Sequence, residues 1–368
     1  MDRIALYRPP LISIDKNLLN LSLRGDQKKL LEEFEAKAAR KLGVPYAIAV
    51  ANPVLAMHLA LYALDMKRGD KMIATVNAHP GIGQTIRQFD SKLIFCDIES
   101  DTFNISLDLI EPLLEDTRSQ KVRGVICSLA AGQADDFKRL YSMTRKRGMV
   151  TIVEGFGAYG LEMSLADKEP DLYITSIVPL ELPAAANIGI IATFSKKLRD
   201  RAVLIRNYAL NYTASYIYDM VEVGCAYMPS AIDLAYAISL MPCVEKAITR
   251  RRVIARRYDR AFAQLKHVTP PVKKYAHSYC AYIVKIDKNR DGFAKSLIDR
   301  GIEAEVNYIP LHLMSYYRSK YAIKITDFPR ALANYHSILS IPIYSDMKDK
   351  EVSRVIDAIS EIDRSRVW

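Results

Sequence analysis

The sequence predicts an α/β fold: a mostly parallel large-domain sheet covered by helices, of aspartate-aminotransferase-like type, with a smaller C-terminal α+β domain. Three observations carry the layered part of that reading. Short β-branched apolar runs recur between Tyr46 and Thr193, helical-period segments separate most of them, and the alternation stops past Arg206. Runs apolar on both faces suit strands buried on both sides, and strand–helix alternation suits a parallel sheet whose crossovers are helices. The 368 residues are enough for two domains, placed at 1–248 and 249–368.

Residues up to Asn20, broken at Pro9-Pro10, read as an irregular segment lying across another part of the molecule. QKKLLEEFEAKAARKL (Gln27 to Leu42) puts Leu30, Leu31, Phe34, Ala38 and Leu42 on one helical face. Strands are expected at YAIAVA, Met72–Val76, Ser91–Asp97, Arg123–Leu129 and Met149–Gly155. Helices are expected at Leu55–Leu64, Gly83–Phe89, Leu107–Leu114, Asp136–Arg147 and Lys196–Arg206. The stretch DLYITSIVPLELPAAANIGIIAT (Asp171 to Thr193) reads as a strand, a turn through Pro179 and Pro183, and a second strand. A Tyr-rich segment, YALNYTASYIYDM, leads to a helix around Ala231 to Leu240. ITRRRVIARRYDRAFAQL is then a long helix crossing to the C-terminal domain. Its Arg250, Arg251, Arg252, Arg256 and Arg257 read as a solvated face rather than a docking stripe. SYCAYIVKID (strand), DGFAKSLIDRGIEAEV (helix, then strand), SILSIPIY (strand) and KEVSRVIDAISEI (helix) complete the chain.

Composition narrows the function classes. Half the residues are hydrophobic and the net charge is +10, which favours acidic partners such as nucleotide-linked substrates, although a solvated surface also accounts for it. The Arg-rich helices lack interleaved aromatics, so no nucleic-acid signature is present. Five cysteines, an odd number without a CxxC, read as buried free thiols in a reducing compartment; with no signal-like pattern in MDRIALYRPP, a cytoplasmic location is expected. The apolar run Tyr46 to Leu64 is split by Asn52, Pro53 and His58, so no membrane span is expected. No Walker loop, GxGxxG, HExxH or Cys/His zinc pattern occurs, and no metal site is expected. His58, on an apolar helix, reads as a satisfied core histidine, while His267, His277 and His336 have no informative neighbours.

Several stretches, in order, are FEAKAARKLGVPYAIAVANPVLAMHLALYAL, KLIFCDIESDTFNIS, AAGQADDF, ANIGIIATFSKKLRDRAVLIRNYAL, RRRVIARRY, NYIPLHLMSYY and ILSIPIY. Together they resemble the DegT/DnrJ/StrS family of sugar aminotransferases, pyridoxal-phosphate enzymes of the aspartate-aminotransferase fold. That chemistry requires a lysine for the imine, a carboxylate on the pyridine nitrogen and a cradle for a doubly charged phosphate.

The resemblance puts the cofactor lysine at Glu181, counted from Asp171, Ser176 and Pro179, and no lysine lies between Lys168 and Lys196. A carboxylate forms no imine; facing a phosphate at about 4 Å and an effective dielectric near 20, it repels by roughly 4 kcal/mol per unit charge pair. The family's Gly-Thr phosphate pair corresponds to Pro53 and Val54, which bring no N–H at the first position and no hydroxyl at the second. Ser176 keeps a phosphate-compatible hydroxyl. An asparagine that the family takes from a partner subunit corresponds to Ala226, in GCAYM, with Met228 in the place of an arginine. The family's Asp, three residues before a Gln, corresponds to Glu154 and Gly157, and its ring-stacking aromatic to His79. Tyr308 and His312 fall in the sugar-contacting stretch. A subgroup with histidine in the lysine's place dehydrates sugars, and this chain departs from that pattern too.

The changes all remove cofactor contacts. The expectation is therefore a catalytically degenerate homologue with no covalently bound pyridoxal phosphate. It would be a homodimer, or a heterodimer with an active paralogue, and would bind a nucleotide sugar or a partner in surface-polysaccharide or amino-sugar biosynthesis. His79, Glu154, Glu181 and His312 are also expected to converge in the former cofactor cavity, either as leftover polar groups or as an acid–base set acting on a sugar nucleotide. A conventional aminotransferase with a displaced lysine is the third reading.

Overall fold

The structure is a computed structural model that describes residues 3–10, 12–116, 121–161, 170–178 and 187–365. The turn expected through Pro179 and Pro183 lies outside the described residues.

The chain opens with helices α1 (Lys16–Leu23) and α2 (Gln27–Leu42), followed by β1 (Tyr46–Val50) and α3 (Pro53–Ala63). Strand and helix then alternate through β2 (Lys71–Thr75), α4 (Pro80–Gln88), β3 (Lys92–Cys96), α5 (Leu107–Asp116), β4 (Val122–Ser128), α6 (Phe137–Arg145), β5 (Val150–Gly155) and β6 (Leu172–Ser176). β7 (Gly189–Thr193) and α7 (Lys196–Arg206) follow. These strands make a seven-stranded sheet in the order β1-β7-β6-β5-β4-β2-β3. Pairings from β3 to β6 are parallel, and β7 runs antiparallel to both its neighbours. The buried strands Leu172–Ser176 and Gly189–Thr193 are covered on both faces, as their unbroken apolar character requires. One face packs on Leu30, Phe34 and Ala38 of α2, and the other on Ala56, Met57 and Ala60 of α3.

Past α7 come a hairpin, β8 (Leu210–Ala214) and β9 (Ile217–Met220), then α8 (Ala231–Leu240) and α9 (Val244–Phe262). β10 (Val268–Thr269), β11 (Tyr282–Ile286), α10 (Arg290–Asp299), α11 (Ser315–Tyr321), α12 (Pro329–Ser337), β12 (Ile338–Ile341) and α13 (Asp349–Ser365) form the C-terminal layer around a three-stranded sheet, β10-β11-β12. α9 spans two cores: Val244 and Ile248 pack with the large sheet, and Ile254, Tyr258 and Phe262 with β11, β12 and α13. No helix among the described residues is long and apolar enough to cross a membrane.

Three expectations are corrected. α1 begins at Lys16, inside the segment read as irregular; Asp15 caps it by accepting from the amides of Asn17 and Leu18. α4 starts three residues early, with Pro80 in its first turn and the His79 ring accepting from Gly81 N at 3.0 Å. The arginines of α9 do not form a solvated face, apart from the exposed Arg256. Arg250 reaches Met347 O and Asp349, Arg257 reaches Asp349 and Ser353, Arg251 bonds Ser278 O, and Arg252 bonds His277 O. Guanidiniums with acceptors already in place gain more from those bonds than from water alone.

The N-terminal segment does lie across the molecule. Ile4 bridges to Ile302, Leu6 N donates to Glu303, and Tyr236 OH donates to Pro10 O. All five cysteines are free, and Cys96, Cys127 and Cys280 are buried. His58 is half-buried, stacked on Phe89 at 4.7 Å.

Candidate functional site

The parallel strands aim their C-terminal ends at one place, where an open α/β sheet offers its crevice. Glu154 closes β5, Ser128 closes β4, and Asn77 follows β2 by two residues. From the other side come Ala281 and Ile283, at and within the start of β11, with Asn307 and Tyr308; the N-terminal Tyr7 covers the gap. Leu311 N bonds to Val76 O at 2.7 Å and so pins the Tyr308 segment to the large sheet. The result is a cavity of about 510 Å³, mouth included.

Its polar groups are buried. Asn77, Ser128, Glu154 and Asn307 are each less than a tenth exposed. Glu154 Oε1 accepts from Phe156 N at 2.8 Å, and Tyr7 OH donates to Asn307 Oδ1 at 3.0 Å. Ser128 Oγ is buried with no hydrogen-bond partner. Glu154 is the one charged side chain among the described lining residues, so the cavity's potential is negative.

His79 sits at the rim, its ring edge-on to Tyr308 at 5.6 Å and to Phe156 at 6.4 Å. Its Nδ1 lone pair is committed to Gly81 N, and burial lowers its pKa to about 4, leaving a neutral imidazole at physiological pH. Val54 packs against the first turn of α4: a Cβ on Gly81 would lie 2.8 Å from Val54 Cγ2. Pro53 is buried as the first residue of α3, and Asn52 Oδ1 already accepts from Leu55 N at 2.8 Å. The fully buried Ser176 donates to Val178 O at 2.6 Å and accepts from Gly157 N at 2.9 Å, Gly157 having φ 75°.

The expected convergence is thus corrected in part. Glu154 and Tyr308 line the cavity and His79 edges it. His312 does not join them. It is fully buried in the short turn Leu311–Leu313 with its ring on Phe328 at 5.0 Å, and burial lowers its pKa. Ala226 is exposed, in a loop that bridges to Asn207. Glu181 lies outside the described residues. Asn77, Ser128, Asn307 and Tyr7 were not picked out from the sequence. Asn77 and Ser128 carry a signal that finds them, namely a polar residue at or just past the C-terminal end of a parallel strand.

A phosphorylated pyridine aldehyde does not fit the donors described here. Of the first three amides of α3, one is replaced by proline and another is bonded to Asn52. The Ser176 hydroxyl is committed to a carbonyl, and the cavity wall carries a carboxylate and no cation. A dianion held there would lack the charge-assisted bonds that offset its desolvation.

Comparisons with known proteins agree with this architecture. The model of the DegT/DnrJ/EryC1/StrS aminotransferase family matches residues 20–360. The spore coat polysaccharide biosynthesis protein SpsC of Bacillus subtilis (strain 168) is 25% identical over 353 residues, covering 90% of this chain and 89% of that protein. GDP-perosamine synthase of Escherichia coli O157:H7 is 23% identical over 369 residues, covering 98% and 99%. Among solved structures, Helicobacter pylori PseC, an aminotransferase involved in the biosynthesis of pseudoaminic acid, superposes with a TM-score of 0.89 at 18% identity, covering 99% of this chain and 100% of that one.

Proposed function

This chain belongs to the DegT/DnrJ/EryC1/StrS aminotransferase family, and from that premise we propose that it is a member that works without covalently held pyridoxal phosphate. It binds a nucleotide sugar, or a partner protein, in surface-polysaccharide or amino-sugar biosynthesis. The observation that carries this reading is the absence of any lysine between Lys168 and Lys196, the interval where the resemblance puts the imine-forming amine, with Glu181 at that position. The proline in the first turn of α3 and the committed Ser176 hydroxyl support it. The biosynthetic setting is carried over from the names of SpsC and GDP-perosamine synthase. A cytoplasmic location goes with that setting. A dimer, of two copies or with an active paralogue, is supported by the exposed tyrosines, Ile217 and Met220 of the β8–β9 hairpin, a larger apolar patch than solvent alone favours.

The test is direct. The chain is incubated with pyridoxal phosphate, its absorbance read between roughly 330 and 430 nm, where bound cofactor absorbs, and the mixture reduced with borohydride before peptide mapping. The expected result is no band and no modified peptide. A single lysine-tethered cofactor overturns the reading and restores ordinary sugar amination.

A second reading is favoured by one juxtaposition: a buried carboxylate, Glu154, beside a neutral imidazole, His79, at a polar cavity. Such a pair can run acid–base chemistry on a sugar nucleotide. Under that reading Glu154→Gln and Glu181→Ala abolish turnover of the substrate; under the first there is no turnover to lose.

A further inference from the structure

A second cleft, of about 520 Å³ with its mouth, lies where the N-terminal segment, the end of β6, the α8–α9 junction and the C-terminal layer meet. Its volume falls within the range typical of small-molecule sites, roughly 300–1,000 Å³. It shares Tyr7 and Cys280 with the first cavity and differs from it in charge. Most of the wall is aliphatic: Leu240, Val244 and Ala247 on one side and Ile343 on the other. Two of its lining residues are arginines, Arg8 and Arg251, and none is acidic among those described.

Arg251 is the unusual one. Among the described residues its guanidinium meets one hydrogen-bond acceptor, Ser278 O at 2.9 Å from Nε, and no carboxylate. The nearest charged neighbour acting on it is another cation, Arg252, and burial lowers the Arg251 pKa to about 10. Arg8 lies over the Tyr344 ring at 5.1 Å, and its carboxylate neighbour Glu351 is at 3.9 Å, the outer limit of an ion pair. A guanidinium withdrawn from water without a counter-charge costs several kcal/mol, and a planar fork with open N–H groups is shaped for a two-oxygen anion.

The geometry points to a binding site in this cleft for an amphipathic anion: a carboxylate or phosphate head on Arg251, with Arg8 at the mouth, and an apolar body against Leu240, Val244, Ala247 and Ile343. This site does not depend on the fate of the cofactor cavity, because it uses none of that cavity's polar residues.

The test uses the full chain and four probes: octanoate, octyl phosphate, 1-octanol and inorganic phosphate, each titrated by calorimetry. The expected result is saturable binding of octanoate, octyl phosphate or both, at least tenfold tighter than octanol and than inorganic phosphate; which of the two binds more tightly identifies the head group. Arg251→Met lowers that affinity at least tenfold, and Ala247→Phe, which fills the cleft and leaves Arg251 in place, does the same. Arg8→Ala lowers it less. Equal binding of octanoate, octyl phosphate and octanol, no binding of either anion, or unchanged affinity in Ala247→Phe overturns the proposal. The Ala247 variant decides the matter even where Arg251→Met fails to fold.

Discussion

At the residue scale, Arg206 and Glu35 tie three elements together. Arg206 is 2% exposed, and its Nη1 donates to Glu35 Oε1 at 2.6 Å and to Ala49 O at 2.7 Å, while Ala49 N donates to the same carboxylate oxygen. This joins α7, α2 and β1. Removing the carboxylate strands a buried guanidinium, so Glu35→Ala is expected to destabilise the chain by roughly 3–5 kcal/mol. The exposed pair Lys196–Asp200 contributes little by comparison, within about 1 kcal/mol. Urea unfolding of the two single variants separates them.

His277 sets an acid limit by the same logic. Its ring stacks on Tyr279 at 3.9 Å and accepts from Tyr279 N. Burial, with Lys273, Arg251 and Arg252 nearby, lowers its pKa from 6.5 to about 3. Between those two values the unfolded chain binds a proton that the folded chain refuses, so stability falls as pH drops through that window, by up to 1.36 kcal/mol per pH unit for each such group. His79 acts in the same direction from 6.5 to about 4. Asp135 opposes them: burial raises its pKa from 3.8 to about 6, so there the folded chain holds the extra proton. With two groups against one, unfolding midpoints are expected to decline between pH 6.5 and pH 4, and more gently in His277→Gln.

At the element scale, α3 crosses β7 so closely that no side chain fits between them. A Cβ on Gly189 would lie 2.4 Å from Asn52 O, a backbone atom that cannot turn aside. Gly189→Ala is expected to destabilise by roughly 1–3 kcal/mol, read from the denaturation midpoint. Elements of this kind were legible in the sequence, because strands buried on both faces must be apolar throughout and Leu172–Ser176 and Gly189–Thr193 nearly are. The starts of helices were harder. The cap of α4 is a histidine ring, an unusual acceptor, and α1 buries none of its residues, so no apolar stripe announces it. The arginines of α9 misled for another reason: most of their acceptors are backbone carbonyls, such as His277 O, Ser278 O and Met347 O, which no sequence pattern marks. In the site, Glu154 and Tyr308 were reachable through the family resemblance, whereas Asn77, Ser128 and Asn307 needed the strands to be laid side by side.

At the scale of the whole molecule, the hairpin β8–β9 carries Tyr212, Tyr216, Ile217, Tyr218 and Met220 in the open. If it is the dimer contact, Tyr218→Ser with Met220→Ser shifts the chain to monomer in sedimentation experiments without lowering its unfolding midpoint, since these side chains support nothing within their own subunit. An unchanged dimer would place the contact elsewhere.

The N-terminal segment adds a constraint of timing. Leu6 is anchored by Glu303, 297 residues further along, and Ile4 belongs to the core built by α9, β11, β12 and α13. At roughly 5–20 residues per second on a ribosome, the segment waits about 15–60 s for its seat to be synthesised. Both clefts gain their Tyr7 wall only then, so a nascent chain cannot hold a ligand in either one until nearly all of it has emerged.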